Sequence, residues 1–567
     1  MLRRSFLALV TVLVTALLPR AARGQSDAAG ADVLVALDRW TRSFLSGAID
    51  VTDPRPIDKN ARPRLPARLL ASNSQRLTEL QALEILLRAA AELGTADAAR
   101  RLLRLAAVGL DPKSSEIAGS AVVRGAAEGA LDEGAAPAVH AHLVDVVGSP
   151  ARNADGAALR LAAVRALGGS AQPVFWPVLT GLLREDDPGM RAAAARALGD
   201  LGRPQAIATV AQSLREEREP RVIQAIAGAL RDMLDVAEHD KALDPVMHLD
   251  AIGAVLSTLA HVDDWQTAID LVRFLEQHRV AAAVPVLIDL MARADRIGAS
   301  RHPEARGHQT LKAEAHRVLQ AMTGCVLGPD QLDQWREMWA SAKDSFKVVP
   351  RRREALPENA TVAGGFFGIP VLGSRVVFVI DCSGSMVSPA PQLGDTVAGP
   401  SSAPTRLDIA CRECWNAIKE MGPDTYFNIV VFSSNAKAWK KELVPATPAN
   451  KGALRNFLQR LVANGSTNLW AGLSTALEMR TAMTKSRYRE PVDEVFVLSD
   501  GYPSSGEITE AELIAARVRD QNKHVGIRLN TVFIGSTPSE LDAMARPGGD
   551  ALMRVLAEQN QGTFVER

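Results

Sequence analysis

An excess of charge of either sign is missing from this 567-residue chain: 65 Lys and Arg stand against 65 Asp and Glu. Such a balance excludes broad electrostatic binding to nucleic acid or to an acidic membrane surface, leaving only local patches. Cysteine is scarce as well, and four in this length are too few for a disulfide scaffold. Aromatic residues make up 4% against 47% hydrophobic residues overall, so the cores must be filled by Leu, Ala and Val; there are enough of them to exclude global disorder. Catalytic signatures are lacking too. No nucleophile elbow, phosphate-binding loop or zinc-protease helix is present, and the last third of the chain has a single histidine, His524. Length alone suggests three or four domain-sized blocks, or fewer if one is a repeat array.

What is present begins with an export signal. Residues 1–24 carry Arg3 and Arg4, an apolar run from Phe6 to Leu18, and Ala22-Arg23-Gly24 where a signal peptidase reads small residues, so the mature chain is expected to start at Gln25. The run is shorter than the roughly 20 residues that span a bilayer. Arg3-Arg4-Ser5-Phe6-Leu7 also resembles the core of a twin-arginine signal. No later stretch is apolar for long enough to cross a membrane. The expected location is therefore periplasmic, cell-surface or secreted, with no transmembrane segment after cleavage. Residues 25–75 read as an amphipathic helix, Ala28 to Gly47, followed by a Pro- and Arg-rich linker.

From 76 to 347 the chain is Ala- and Leu-rich, helix-periodic and punctuated by Gly, Pro and Asp. Leu159 to Gly168 recurs as Met190 to Gly199, 31 residues on, and a looser copy runs from Arg221 to Leu230. Charged turns, Glu185-Asp186-Asp187-Pro188 and Glu216-Glu217-Arg218-Glu219-Pro220, precede the later copies. These copies resemble HEAT-type repeats, which implies stacked helical hairpins with an extended surface for a second protein partner. Trp335 and Trp339, at i, i+4 spacing, are expected to seal the end of the array.

Residues 348–369, with Arg351-Arg352-Arg353, Pro357 and Gly364-Gly365, read as a solvated linker. Beyond it, strands are expected at Arg375 to Ile380, Phe427 to Phe432, Glu494 to Leu498 and Leu529 to Ile534. Helices are expected at Arg406 to Met421, Ala453 to Leu461, Leu469 to Thr484, Glu510 to Asp520 and Ala551 to Gln559. Continuous apolar strands alternating with helices predict a doubly wound α/β domain over 370–567, with a parallel sheet covered on both faces and ligands at the carboxyl ends of its strands.

Three motifs stand at such ends or in loops: Asp381-Cys382-Ser383-Gly384-Ser385, Gly465-Ser466-Thr467-Asn468 and Ser499-Asp500-Gly501. Hydroxyl and carboxylate oxygens beside glycines suit a hard divalent cation, Mg²⁺ first, with Mn²⁺ or Ca²⁺ as alternatives. Together the motifs resemble the von Willebrand factor type A family, whose metal-ion-dependent adhesion site has the pattern Asp-x-Ser-x-Ser with a distant Thr and a distant Asp. The resemblance covers about a third of the chain and leaves every liganding position intact. It implies that Ser383 and Ser385 bind the metal through their hydroxyls, Thr467 directly or through water, and Asp381 and Asp500 largely through waters. It further implies one open position for an acidic side chain of a protein partner.

Other signals have plainer readings. Cys411 and Cys414 have redox-motif spacing but lie on one apolar stripe with Leu407, Ala410, Ile418 and Met421, so packing is expected. Cys382 is expected to be buried in its turn. His140 with His142, and His302 with His308, lack further ligands at zinc spacing, and Asn464 belongs to the metal loop rather than to a glycosylation site. The loop 387–405 should lie beside the metal. The sequence thus points to an exported, non-enzymatic interaction or adhesion protein. An assembly or maturation factor for an enzyme complex, as type A domains are in metal chelatases, is the alternative. Hydrolysis at the metal lacks a general base near Asp500.

Overall fold

The computed structural model describes residues 28–51, 57, 66, 77–110, 117, 119–133, 136–298, 305–343, 345–349, 365–389, 404–422, 425–479, 492–500, 502–522, 527–535 and 549–567. The chain divides into two compact units, one of residues 1–251 with 483–489, the other of residues 252–482 with 490–567. The export signal, His302, His524, Gly501 and most of the loops 52–76 and 387–405 lie outside the described residues.

The first unit is helical. Its helices are α1 (Ala28–Leu45), α2 (Glu79–Leu93), α3 (Ala96–Ala106), α4 (Ser120–Glu133), α5 (Pro137–Gly148), α6 (Ala154–Gly169), α7 (Trp176–Leu182), α8 (Pro188–Leu201), α9 (Ile207–Glu216) and α10 (Pro220–His239), with the start of α11 (Pro245–Leu259). The expected repeats are α6, α8 and α10. Each starts at a polar turn: Asn153 caps α6, and Asp187 caps α8 with Pro188 in the first turn. Their spacing rests on small residues. A Cβ on Gly168 would stand 2.7 Å from the Cα of Ala197, and one on Gly199 would stand 3.0 Å from the Cα of Ala229. The same glycine–alanine contact therefore recurs from α6 to α8 and from α8 to α10. A second recurrence is ionic. Arg160 meets Glu185 at 2.8 Å and Arg191 meets Glu217 at 2.8 Å, each arginine reaching the turn that opens the next repeat.

The second unit continues with the rest of α11, then α12 (Trp265–Gln277), α13 (Ala283–Gly298), α14 (Ala305–Thr323) and α15 (Leu332–Ala342). Trp335 of α15 is fully buried and donates its indole N–H to the Gly328 carbonyl at 3.0 Å. Trp339 is half-buried and packs edge-on against Phe346.

The same unit holds the α/β fold. Its strands are β1 (Arg375–Asp381), β2 (Tyr426–Phe432), β3 (Ala436–Ala438), β4 (Val444–Pro445), β5 (Glu494–Ser499), β6 (Arg528–Phe533) and β7 (Phe564–Glu566), in the order β3-β2-β1-β5-β6-β7 with β4 also on β2. β1, β2, β5, β6 and β7 are parallel, as expected of the sheet's centre. β3 and β4 pair antiparallel with β2 and depart from the all-parallel expectation. On one face lie α16 (Arg406–Lys419) and α17 (Pro448–Leu458), on Val376, Phe378 and Ile380; on the other lie α18 (Leu469–Leu477), α19 (Ala511–Asn522) and α20 (Gly549–Gln559), on Val377 and Val379. Two-sided burial is why these strands read as unbroken apolar runs. α17 starts at Pro448 rather than Ala453, because Thr447 caps it by accepting from the Asn450 amide.

At the amino ends of the strands Glu494 is buried and raised above the usual carboxylate range, chiefly by burial. It accepts from the amides of Leu372 at 2.7 Å and Gly373 at 2.6 Å and from the Asn530 side chain at 2.9 Å. Arg528, beside it, pairs with Asp270 of α12 within the same unit.

Candidate metal centre

β1 and β5 run side by side with Ile380 opposite Leu498, so their carboxyl ends deliver Asp381 and the pair Ser499 and Asp500 to one place. The strand order turns back between these two strands, and such a switch point opens a crevice for ligands. Asp381 has no exposure. Its Oδ1 accepts from the Ser383 amide at 2.8 Å and its Oδ2 from the Ser499 hydroxyl at 2.6 Å. Ser385 donates its hydroxyl to Asp500 Oδ1 at 2.8 Å, and Arg406 of α16 donates to Asp500 Oδ2 at 2.7 Å.

The Thr467 loop is laced to both. The Asn464 amide donates to the Cys382 carbonyl at 2.8 Å, and the Gly384 amide to the Gly465 carbonyl at 2.9 Å. Gly465 has φ +88°, a backbone region that glycine enters without strain. Thr467 is buried; its amide donates to Ser504 Oγ at 3.0 Å and its carbonyl accepts from the Ser504 amide at 2.9 Å, just beyond Asp500. Asn468 then caps α18 through the Ala471 amide. Asp381, Ser383, Ser385, Thr467 and Asp500 are thereby gathered at one end of the sheet.

Burial first, and then the Asp500 charge, pushes the Asp381 carboxyl up to about 7, against the pull of the Ser499 and Ser383 hydrogen bonds. Two carboxylates this deep cost free energy unless a cation or other donors meet them. The donor set fits a small hard cation. Ser383 and Ser385 hold their hydroxyl oxygens 3.1 Å apart, close to the ~3.0 Å expected between adjacent corners of an octahedron with 2.0–2.1 Å metal–oxygen bonds. Ser385 donates its hydroxyl to Asp500 and shares a hydrogen bond with the Ser383 hydroxyl, which leaves oxygen lone pairs for a cation.

Two neighbours of the site were not assigned roles by sequence reasoning. Ser499 was legible as the residue before Asp500. Arg406 reads as the first residue of an amphipathic helix; its signal was a basic residue directly after Thr405 and two before Asp408, the reciprocal pair that caps α16. Cys382 is buried and its thiol is pushed up to about 12, chiefly by burial. Cys414 is buried in the core under α16 and Cys411 packs against it. His140 is buried edge-on to Phe175, and burial holds it below the usual imidazole range. Among the described residues no group of three or more His, Cys, Asp and Glu side chains comes together. No described helix is long and apolar enough to cross a membrane.

A doubly wound sheet with these three loops at its switch point defines the class: this is an α/β domain of the von Willebrand factor type A kind. The family comparisons agree. Residues 376–502 match the von Willebrand factor type A domain and residues 144–231 match HEAT repeats, so the chain carries a type A domain after a HEAT repeat array. It is similar to inter-alpha-trypsin inhibitor heavy chain H3 of Mesocricetus auratus, 29% identical over 280 residues, 43% of this chain and 29% of that protein. It is similar also to heavy chain H1 of Bos taurus, 32% identical over 151 residues, 26% of this chain and 15% of that one. The chain thus spans less than a third of the length of these relatives. A solved von Willebrand factor type A structure from Catenulispora acidiphila aligns over 34% of this chain and 38% of that one, with 18% identity and a TM-score of 0.25.

Proposed function

We propose that this is an exported, non-enzymatic interaction protein whose type A domain captures an acidic side chain of a protein partner through a divalent cation. Mg²⁺ is the first candidate, with Mn²⁺ or Ca²⁺ able to take its place. Ser383, Ser385 and Thr467 would hold the cation, with Asp381 and Asp500 beside it. The observation that carries this reading is the pair of hydrogen-bonded serine oxygens 3.1 Å apart beside two buried carboxylates, with Ser385 donating to Asp500 and the Ser383 amide to Asp381. When bound, the cation supplies a Lewis-acidic position that accepts an outside carboxylate. The chain's own residues do the rest. β1 and β5 fix the two acids, the hydroxyls present lone pairs, and the backbone bonds between the three loops keep the donors in register. The HEAT array offers a second protein-binding surface, and similarity to inter-alpha-trypsin inhibitor heavy chains supports the interaction role.

The test is capture from envelope and extracellular fractions by the mature chain, with Mg²⁺ and with EDTA, alongside Asp381→Ala. Capture that requires both the cation and Asp381 is the expected result. Capture indifferent to both would move the binding role to the array.

A further inference from the structure

Arg406 occupies a place that two general rules disfavour. It is the first residue of α16, where the helix dipole and the free amides favour acids and oppose a cation. It is also only 3% exposed, although buried charges are costly unless paired. Its pair is Asp500, at 2.7 Å, with no exposure on the carboxylate side chain. The backbone holds it there deliberately. Thr405 and Asp408 close a capping box around the helix start, Pro389 and Thr405 form an isolated β-bridge, and the Arg406 amide donates to the Ser388 carbonyl at 3.0 Å. The apolar face of α16 belongs to Leu407, Ala410, Cys414 and Ile418. Rules of this kind are broken where a site is served.

We infer that Arg406 is a positioning residue that sets the charge of the metal centre, lowering its hold on the bare cation and raising its hold on a partner's carboxylate. The inference rests on the metal-site reading above. With both acids ionised, Asp381 and Asp500 contribute minus two, and the Arg406 guanidinium offsets one of these charges. With a divalent cation the cluster becomes plus one, where the same site without Arg406 would be neutral. In a buried cluster an uncompensated unit charge is a large effect. One outside carboxylate neutralises it. The arginine also engages the Asp500 oxygen that Ser385 does not use, so both oxygens of that acid already accept a hydrogen bond. Because coupling between two ligands is reciprocal, a site tuned in this way retains its metal best when the acid is present.

The experiment is a Mn²⁺ titration of the full mature chain, read by the electron paramagnetic resonance signal of free Mn²⁺, without and with acetate as the probe carboxylate. In acetate-free buffer Arg406→Met and Arg406→Gln are expected to bind Mn²⁺ on the order of tenfold more tightly than wild type. Acetate is expected to tighten Mn²⁺ binding in wild type and to do so less in either variant, while Arg406→Lys restores wild-type behaviour. Folded variants that bind Mn²⁺ no more tightly than wild type would overturn the inference. So would a wild-type affinity that acetate leaves unchanged, a measurement that needs no variant to fold. Asp381→Ala separates the two levels: if it binds Mn²⁺ as wild type does, the metal-site reading itself falls.

Discussion

In the helical array, Arg160 and Arg191 meet Glu185 and Glu217 one repeat on, each acid partly open to solvent and each pair a copy of the other. In the α/β domain, Asp381 and Asp500 are sunk at the ends of neighbouring strands and occur once, and Arg406 pairs with Asp500. Charges in the first region are matched for architecture. In the second, Asp381 is met by an amide and a hydroxyl rather than by a cation among the described residues, an arrangement that suits a binding site better than a scaffold. Repetition and burial of charge thus distinguish the repeat array from the α/β domain.

The sharpest way to break the contrast is Asp381→Ala. It is expected to abolish Mn²⁺ binding in the resonance titration while leaving the unfolding transition of the array unchanged. Acidity gives the next effect. The Asp381 carboxyl is raised to about 7 from 3.8, so its stabilising contribution is complete below about pH 4 and is lost as pH rises through about 7. The metal-free type A domain is therefore expected to lose thermal stability between pH 4 and 7, and Mg²⁺ to raise the melting temperature more at pH 8 than at pH 5. A melting temperature flat across that range without metal would count against the burial argument.

On the array side, Gly168→Val forces a side chain into the Ala197 backbone and is expected to cost about 3 kcal/mol or somewhat more in chemical unfolding, without altering Mn²⁺ affinity. Arg191→Met removes one rung of the ionic ladder and is expected to cost about 1 to 2 kcal/mol, measured the same way. Smallest is Thr405→Ala. Loss of its cap is worth about 1 kcal/mol in the type A domain, and any change in Mn²⁺ affinity beyond that seen in Arg406→Lys would show that helix position, and not charge alone, sets the site.

The central strands were legible because burial on both faces writes itself as an unbroken apolar run, as in Val376 to Ile380 and Val495 to Leu498. β3, β4 and β7 were not. Ala436-Lys437-Ala438, Val444-Pro445 and Phe564-Val565-Glu566 are too short to carry a pattern and exist through pairing with β2 or β6. The start of α17 was written in Thr447-Pro448, but apolar spacing points further in, to Ala453. Asp381, Ser383, Ser385, Thr467 and Asp500 were readable as neighbours because loops at strand ends converge by topology. Arg406 was not, since its role depends on a carboxylate 94 residues away in sequence.

The β-bridge between Pro389 and Thr405, with the Arg406 amide bonded to Ser388, closes the long segment between the first motif and α16 at its base. A segment pinned at both ends can change in length without disturbing what it is pinned to, and doubling a flexible loop costs only about 0.6 kcal/mol. The placement of Arg406 against Asp500 and the length of that segment can therefore vary on separate clocks. Insertions and deletions between residues 389 and 405 are thereby kept from shifting Thr405, Arg406 and the helix that follows.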